Sequence, residues 1–180
     1  MPCAFPVGSQ DRKASINFLF DRENIMNSIP SFRVLFHGGA GVITHTEESR
    51  TTLYLDSLRG HAKAVASFIT EHPNQISLTA LDIVEFTVKR LEDDTLYNAG
   101  AGAVYTTEEA HELEASIMDG RNKDCGAASM IKTIRHPISV ARIVLRHLNH
   151  NYLVGESAEK LAREEGLETV PNSFFDHEYR

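Results

Sequence analysis

The sequence predicts an α/β protein of the α+β kind, and three features carry that expectation. Short apolar runs rich in β-prone residues alternate with longer stretches whose apolar residues recur at helical spacing. Turn signals sit between some runs and helical segments between others, so both hairpins and helical connections are expected.

The elements follow in order. Residues 1–31 carry Pro2, Pro6, Gly8 and Pro30 among balanced charges, and are expected to be a poorly ordered N-terminal extension. Order is expected over 32–180, beginning with a buried strand at Phe32-Arg33-Val34-Leu35-Phe36. From Glu47 to His72 the pattern is helical, with Leu58, Ala62, Val65 and Ile69 on one face, ended by Pro73-Asn74. A second helix follows, capped by Ser77 or Thr79, with Leu81, Val84, Val88 and Leu91 as its apolar face. Asn98-Ala99-Gly100-Ala101-Gly102 is loop. Ala103–Thr106 and Glu112–Met118 then read as the two strands of a hairpin, with Leu113, Ala115 and Ile117 on one face. Asp119-Gly120 is a turn signal and Cys125–Thr133 another strand. Pro137 opens a helix striped by Val140 or Ala141, Val144 and Leu148. A short strand at Tyr152-Leu153-Val154 precedes a helix from Glu156 to Glu165 that Gly166 stops. Phe174-Phe175 is expected to be core material without a partner.

Composition removes several function classes. In 180 residues, 25 acids against 18 bases give a net charge of -7, which disfavours nucleic acid as a partner. Hydrophobic residues at 42% and charged residues at 24% are ordinary for a globular fold. No apolar run approaches the ~20 residues of a membrane helix, so no membrane partner is expected. The start lacks the basic-then-apolar order of a secretory signal, and Cys3 and Cys125 allow at most one disulfide. A reducing, cytoplasmic setting is therefore expected.

Two stretches carry candidate chemistry. His37-Gly38-Gly39-Ala40-Gly41 follows the first strand, and its glycines allow positive φ and a close backbone approach. A dinucleotide fingerprint is disfavoured, because the third glycine is missing and no apolar helix follows at once. No P-loop occurs. Zinc is disfavoured too: His147 and His150 are three apart but Cys125 has no near partner, so surface histidines are expected. Glu112 and Glu114 point the same way on a strand and read as a polar outer face. The second stretch, Leu91 to Gly100, takes a helix C-terminus into a loop of small residues. Freed carbonyls there carry partial negative charge and suit a hard cation.

HGGAG after the first strand, RLEDDTLYNAGAGAVYT, ELEASIMDGRNKDCGAASMIKTIRHPISVARIVL and YLVGESAEKLA together resemble the α-subunit of the plant-type L-asparaginase/isoaspartyl peptidase family. Members of that family are N-terminal-nucleophile (Ntn) hydrolases. The resemblance implies the N-terminal part of an αββα four-layer sandwich, incomplete in this chain. It implies a precursor that cuts itself before a threonine, whose hydroxyl then attacks an asparagine side-chain amide or an isoaspartyl dipeptide, with its own amine as base. No organic cofactor is implied. The motif that carries the nucleophile is absent, since the chain contains no Gly-Thr dipeptide. No catalytic residue is therefore expected in these 180 residues.

What the resemblance places here is support. Backbone carbonyls of Leu91, Glu92, Asp94, Tyr97, Ala99 and Ala101 match a sodium site. Asn98 matches a residue reaching towards the nucleophile, and His37, Gly38, Gly39 and Gly41 match the turn beside the cleavage junction. The implied partners are the missing β-subunit portion, a second αβ unit in an (αβ)2 assembly, and a small amino-acid or dipeptide substrate. The chain alone is expected to be a truncated, inactive portion that associates through open sheet edges. The alternative is a non-catalytic scaffold or regulatory partner of a full-length asparaginase-like protein.

Overall fold

A computed structural model of the chain describes residues 15–18, 32–39, 48–72, 77–147 and 149–178. Among them are four α-helices and two small sheets, an α+β arrangement. Ala40, Gly41, Pro73, Asn74 and Leu148 lie outside the described residues.

Strand β1, Ser15–Phe18, pairs antiparallel with β2, Val34–His37, in the register Ser15↔His37 to Phe18↔Val34. This strand lies within residues 1–31, the stretch expected to be a poorly ordered extension. The SINF tetrapeptide alternates polar and apolar, the period of a strand, but is too short to signal alone.

Helix α1, Glu48–Glu71, buries Leu58, Ala62 and Val65, as the spacing predicts. Helix α2, Ala80–Glu92, is capped by Thr79 rather than Ser77. The Thr79 hydroxyl accepts from the Asp82 amide at 3.3 Å, and the Asp82 carboxylate accepts from the Thr79 amide at 2.8 Å. The two together are a reciprocal capping box.

The predicted apolar face of α2 is corrected. Ile83 and Thr87 are buried, whereas Val84 is 43% exposed. The reason is that α2 has two neighbours. Ile83 and Phe86 join Val65 and Phe68 of α1, the two phenyl rings stacked at 4.1 Å. Leu81 and Val88 instead pack against Ile117, Ile138, Ala141 and Leu145. Val84 falls between the two stripes.

The expected hairpin is corrected as well. Residues 103–106 form no strand. Instead β3, Leu113–Met118, pairs antiparallel with β4, Cys125–Ile131, across the Asp119-Gly120 turn. The Arg121 guanidinium and backbone amide donate to the Asp119 carboxylate, closing that turn and holding the carboxyl down at about 2. The register shifts between Leu113 and Ala115, and Met130 takes a φ of 55° to absorb the extra residue. Strand β5, Tyr152–Val154, runs parallel to β4 at the other edge.

Helix α3, Pro137–His147, connects β4 to β5 and covers one face of this sheet. It comes so close that a Cβ on Gly126 would stand 2.2 Å from the Ala141 carbonyl oxygen, so only glycine fits there. Helix α4, Glu156–Glu164, ends at Gly166, whose φ of 76° suits glycine. Ala158 and Ala162 of α4 pack with Leu113, Ala128, Ile131, Val140 and Phe175 in the largest apolar cluster. Phe175 is thus fully buried, which corrects the expectation that it lacks a partner, while Phe174 stays exposed under the Arg135 guanidinium at 5.5 Å. On the sheet face away from α3, Met118, Tyr152 and Val154 are exposed. No described helix is long and apolar enough to cross a membrane.

Candidate functional site

The structure brings the two predicted stretches together. Strand β2 ends in His37, whose Nδ1 accepts a hydrogen bond from the Gly39 amide at 3.0 Å. Gly39 takes a φ of 111°, which excludes most other residues. Gly38 lies against the Tyr97 ring: a Cβ there would meet Tyr97 Cε1 at 2.6 Å. The glycine turn is thus seated on the loop that follows α2.

That loop is wound tightly on itself. The Asp94 amide donates to the Leu91 carbonyl at 3.3 Å, Tyr97 to Asp94 at 3.2 Å, Ala99 to Tyr97 at 2.9 Å and Gly102 to Ala99 at 3.1 Å. A single 3-10 turn, Gly100–Gly102, closes the loop. Both glycines face carbonyl oxygens. A Cβ on Gly100 would stand 2.2 Å from the Glu92 oxygen, and one on Gly102 would stand 2.2 Å from that of Tyr97. Ala99 and Ala101 occupy the same turn, and the Asn98 Oδ1 accepts from the Val104 amide at 3.0 Å, tying its two ends.

Side chains then fasten the loop to the helices. The buried Glu92 carboxylate accepts from the Ile138 amide at 3.0 Å and lies 3.2 Å from His136 Nδ1, so the end of α2 is joined to the start of α3. Burial raises the Glu92 pKa, and these partners only partly offset it. Asp94 behaves oppositely. Burial pushes its pKa up, but bonds from the Ser57 hydroxyl, the Leu96 amide and His61 outweigh it, and the net direction is down. Tyr97 is raised, first by burial and then by the Asp94 charge, against a bond with Ser57 that works the other way. A polar hollow of about 330 Å³ lies beside this network, lined by His61, Arg90, Asp93, Asp94 and Thr95.

Ser57, His61, Arg90 and His136 were not singled out from the sequence. Ser57 and His61 are four apart on α1, beside the apolar positions Leu58 and Ala62. Polar residues repeating at helical spacing along an apolar stripe are the signal that could have found them. Among the described residues no group of three or more His, Cys, Asp or Glu side chains could hold a metal ion, so a cation here would depend on backbone oxygens.

The class these features define is an α+β protein with a glycine turn seated on a carbonyl-lined loop. Residues 31–180 match the family described as Asparaginase, and the chain belongs to that family, with the isoaspartyl peptidases and plant-type L-asparaginases. A Dictyostelium discoideum protein named provisionally as an isoaspartyl peptidase/L-asparaginase is 40% identical over 144 residues, 79% of this chain and 40% of its own. The isoaspartyl peptidase of Escherichia coli K12 is 34% identical over 149 residues, 82% of this chain and 45% of its own. The plant-type L-asparaginase of Thermococcus kodakarensis is 40% identical over 135 residues, 75% and 42% of the two chains. The chain spans less than half the length of these relatives.

Proposed function

We propose that this chain forms the α-subunit portion of an Ntn-type asparaginase/isoaspartyl peptidase, which hydrolyses the side-chain amide of asparagine or the isoaspartyl bond of a dipeptide. The nucleophile is a threonine freed by self-cleavage, on a segment these 180 residues do not include. Its own amine is the base, and an αββα sandwich forms when that segment packs on the open sheet face. The observation that carries this reading is the contact of Gly38 with Tyr97, which joins the two family-like stretches at one place.

In this reading the chain's own residues position rather than react. His37, Gly38, Gly39 and Gly41 shape the turn beside the junction, and Asn98 stands on the same loop. The carbonyls of Leu91, Glu92, Asp94, Tyr97, Ala99 and Ala101 hold a sodium ion. Two features support that ion: the donors are hard neutral oxygens, and a carbonyl that accepts one N–H keeps a second lone pair. Bound there, sodium would supply a fixed charge that stiffens the loop and no reacting group.

The test is ammonia release from L-asparagine and from a β-aspartyl dipeptide. The purified chain alone is expected to release none. Co-expressed with the threonine-led segment of a relative, it is expected to release ammonia from at least one of the two. Turnover by the chain alone that tracks its concentration would overturn the need for an outside nucleophile.

A further inference from the structure

We infer that Ser57 of α1 is a positioning residue for the cation loop, acting through a directed hydrogen-bond chain from Tyr97 through Ser57 to Asp94. The inference rests on the sodium reading above and concerns side chains that reading does not use.

The geometry fixes the direction of every proton. Ser57 Oγ lies 2.6 Å from Asp94 Oδ2 and 2.9 Å from the Tyr97 hydroxyl. An ionised carboxylate only accepts, so Ser57 donates to Asp94, and the Tyr97 hydroxyl must then donate to Ser57. His61 Nε2 lies 2.9 Å from the same Oδ2, and Arg90 Nε lies 3.3 Å from His61 Nδ1. Arginine only donates, so Nδ1 carries the lone pair and Nε2 the proton that goes to Asp94. The other carboxylate oxygen, Oδ1, accepts the Leu96 amide at 3.0 Å, inside the loop. The Ser57, His61 and Leu96 donors therefore converge on one carboxylate.

Ser57 is the joint of this arrangement. Its hydroxyl is hydrogen-bonded to both side chains, Asp94 and Tyr97, whose backbones are proposed to face the ion, while His61 bonds Asp94 and meets Tyr97 only through its ring. Tyr97 is itself buried and carries Gly38 on its ring. Losing the Ser57 hydroxyl frees the Tyr97 hydroxyl and strips one of two side-chain donors from Asp94 Oδ2. The two carbonyls then have more ways to turn away from a common centre, and sodium must re-order them on binding.

The experiment is thermal unfolding of the full chain during titration with sodium chloride against choline chloride at constant ionic strength. The wild type is expected to gain a sodium-specific rise in Tm. Ser57→Ala, which suits a helix, is expected to need about tenfold more sodium for the same rise, the weight of one hydrogen bond to a charged group. Ser57→Thr keeps the hydroxyl and is expected to restore the wild-type midpoint. Tyr97→Phe keeps the ring against Gly38, removes only its hydroxyl, and is expected to shift the midpoint in the same direction. A Ser57→Ala chain that melts lower in both salts with an unchanged sodium midpoint would overturn the inference and leave the sodium reading standing. Should Ser57→Ala not fold, an unchanged midpoint in Tyr97→Phe does the same. A wild type with no sodium-specific rise would overturn both.

Discussion

Two buried carboxylates near the loops carry opposite electrostatics. Glu159 of α4 accepts from the Lys132 and Thr133 amides at 2.6 and 2.7 Å and from the Thr133 hydroxyl at 2.9 Å. Burial pushes its pKa up, but those bonds outweigh it and the net is below the ordinary 4.5. A carboxylate lowered in the folded state stabilises it above the unfolded pKa, and that stability is lost as pH falls through the folded value. Urea unfolding across the range below about pH 5 should therefore show wild-type stability falling, and Glu159→Gln, weaker at neutral pH, losing less over the same window. Glu92, raised by burial, works in the reverse sense and opposes folding once ionised. The glycines give a second residue-scale expectation. Gly100→Ala would put a methyl 2.2 Å from the Glu92 oxygen at a φ of 50°. It should cost more than the ~1–3 kcal/mol usual for overpacking, read as a lower midpoint in urea. Of the site, the two loop stretches were legible in the sequence because their glycines are local signals. The partners of Asp94 were not: Ser57 and His61 lie 37 and 33 residues away, and only the docking of α1 brings them in.

Among elements, α1, α3 and α4 lie close to their expected bounds, and α1 buries the expected Leu58, Ala62 and Val65. Helix α2 is misread because it sits between α1 and the helix α3 that covers the sheet, so its buried positions do not follow a single stripe. The difference is measurable. Ile83→Ala should cost about 2–5 kcal/mol, while Val84→Ala, at an exposed position, should change stability by less than about 1 kcal/mol. Thr79→Ala should cost about 1 kcal/mol by removing the cap. Equal effects at 83 and 84 would contradict the placement of α2. The strand at Ser15–Phe18 escapes detection because four residues hold too little pattern, and Ala103–Thr106 misleads because its small and β-prone residues serve instead to leave a tight 3-10 turn.

At the scale of the whole molecule, the described sheet is covered by α3 on one face and leaves Met118, Tyr152 and Val154 exposed on the other. Apolar side chains exposed on one open sheet face favour association. Sedimentation of the isolated chain should show self-association that weakens when Met118 and Tyr152 are replaced by polar residues. The central claim, that these residues build the supporting half of a self-cleaving hydrolase, is tested most directly by a hybrid chain. Residues 32–180 would replace the matching part of the Thermococcus kodakarensis enzyme, and intact mass would be followed over time. The expected result is cleavage into two pieces, the second led by threonine, together with ammonia release from asparagine or a β-aspartyl dipeptide. A hybrid that folds and melts cooperatively, yet stays in one piece and releases no ammonia, would contradict the claim.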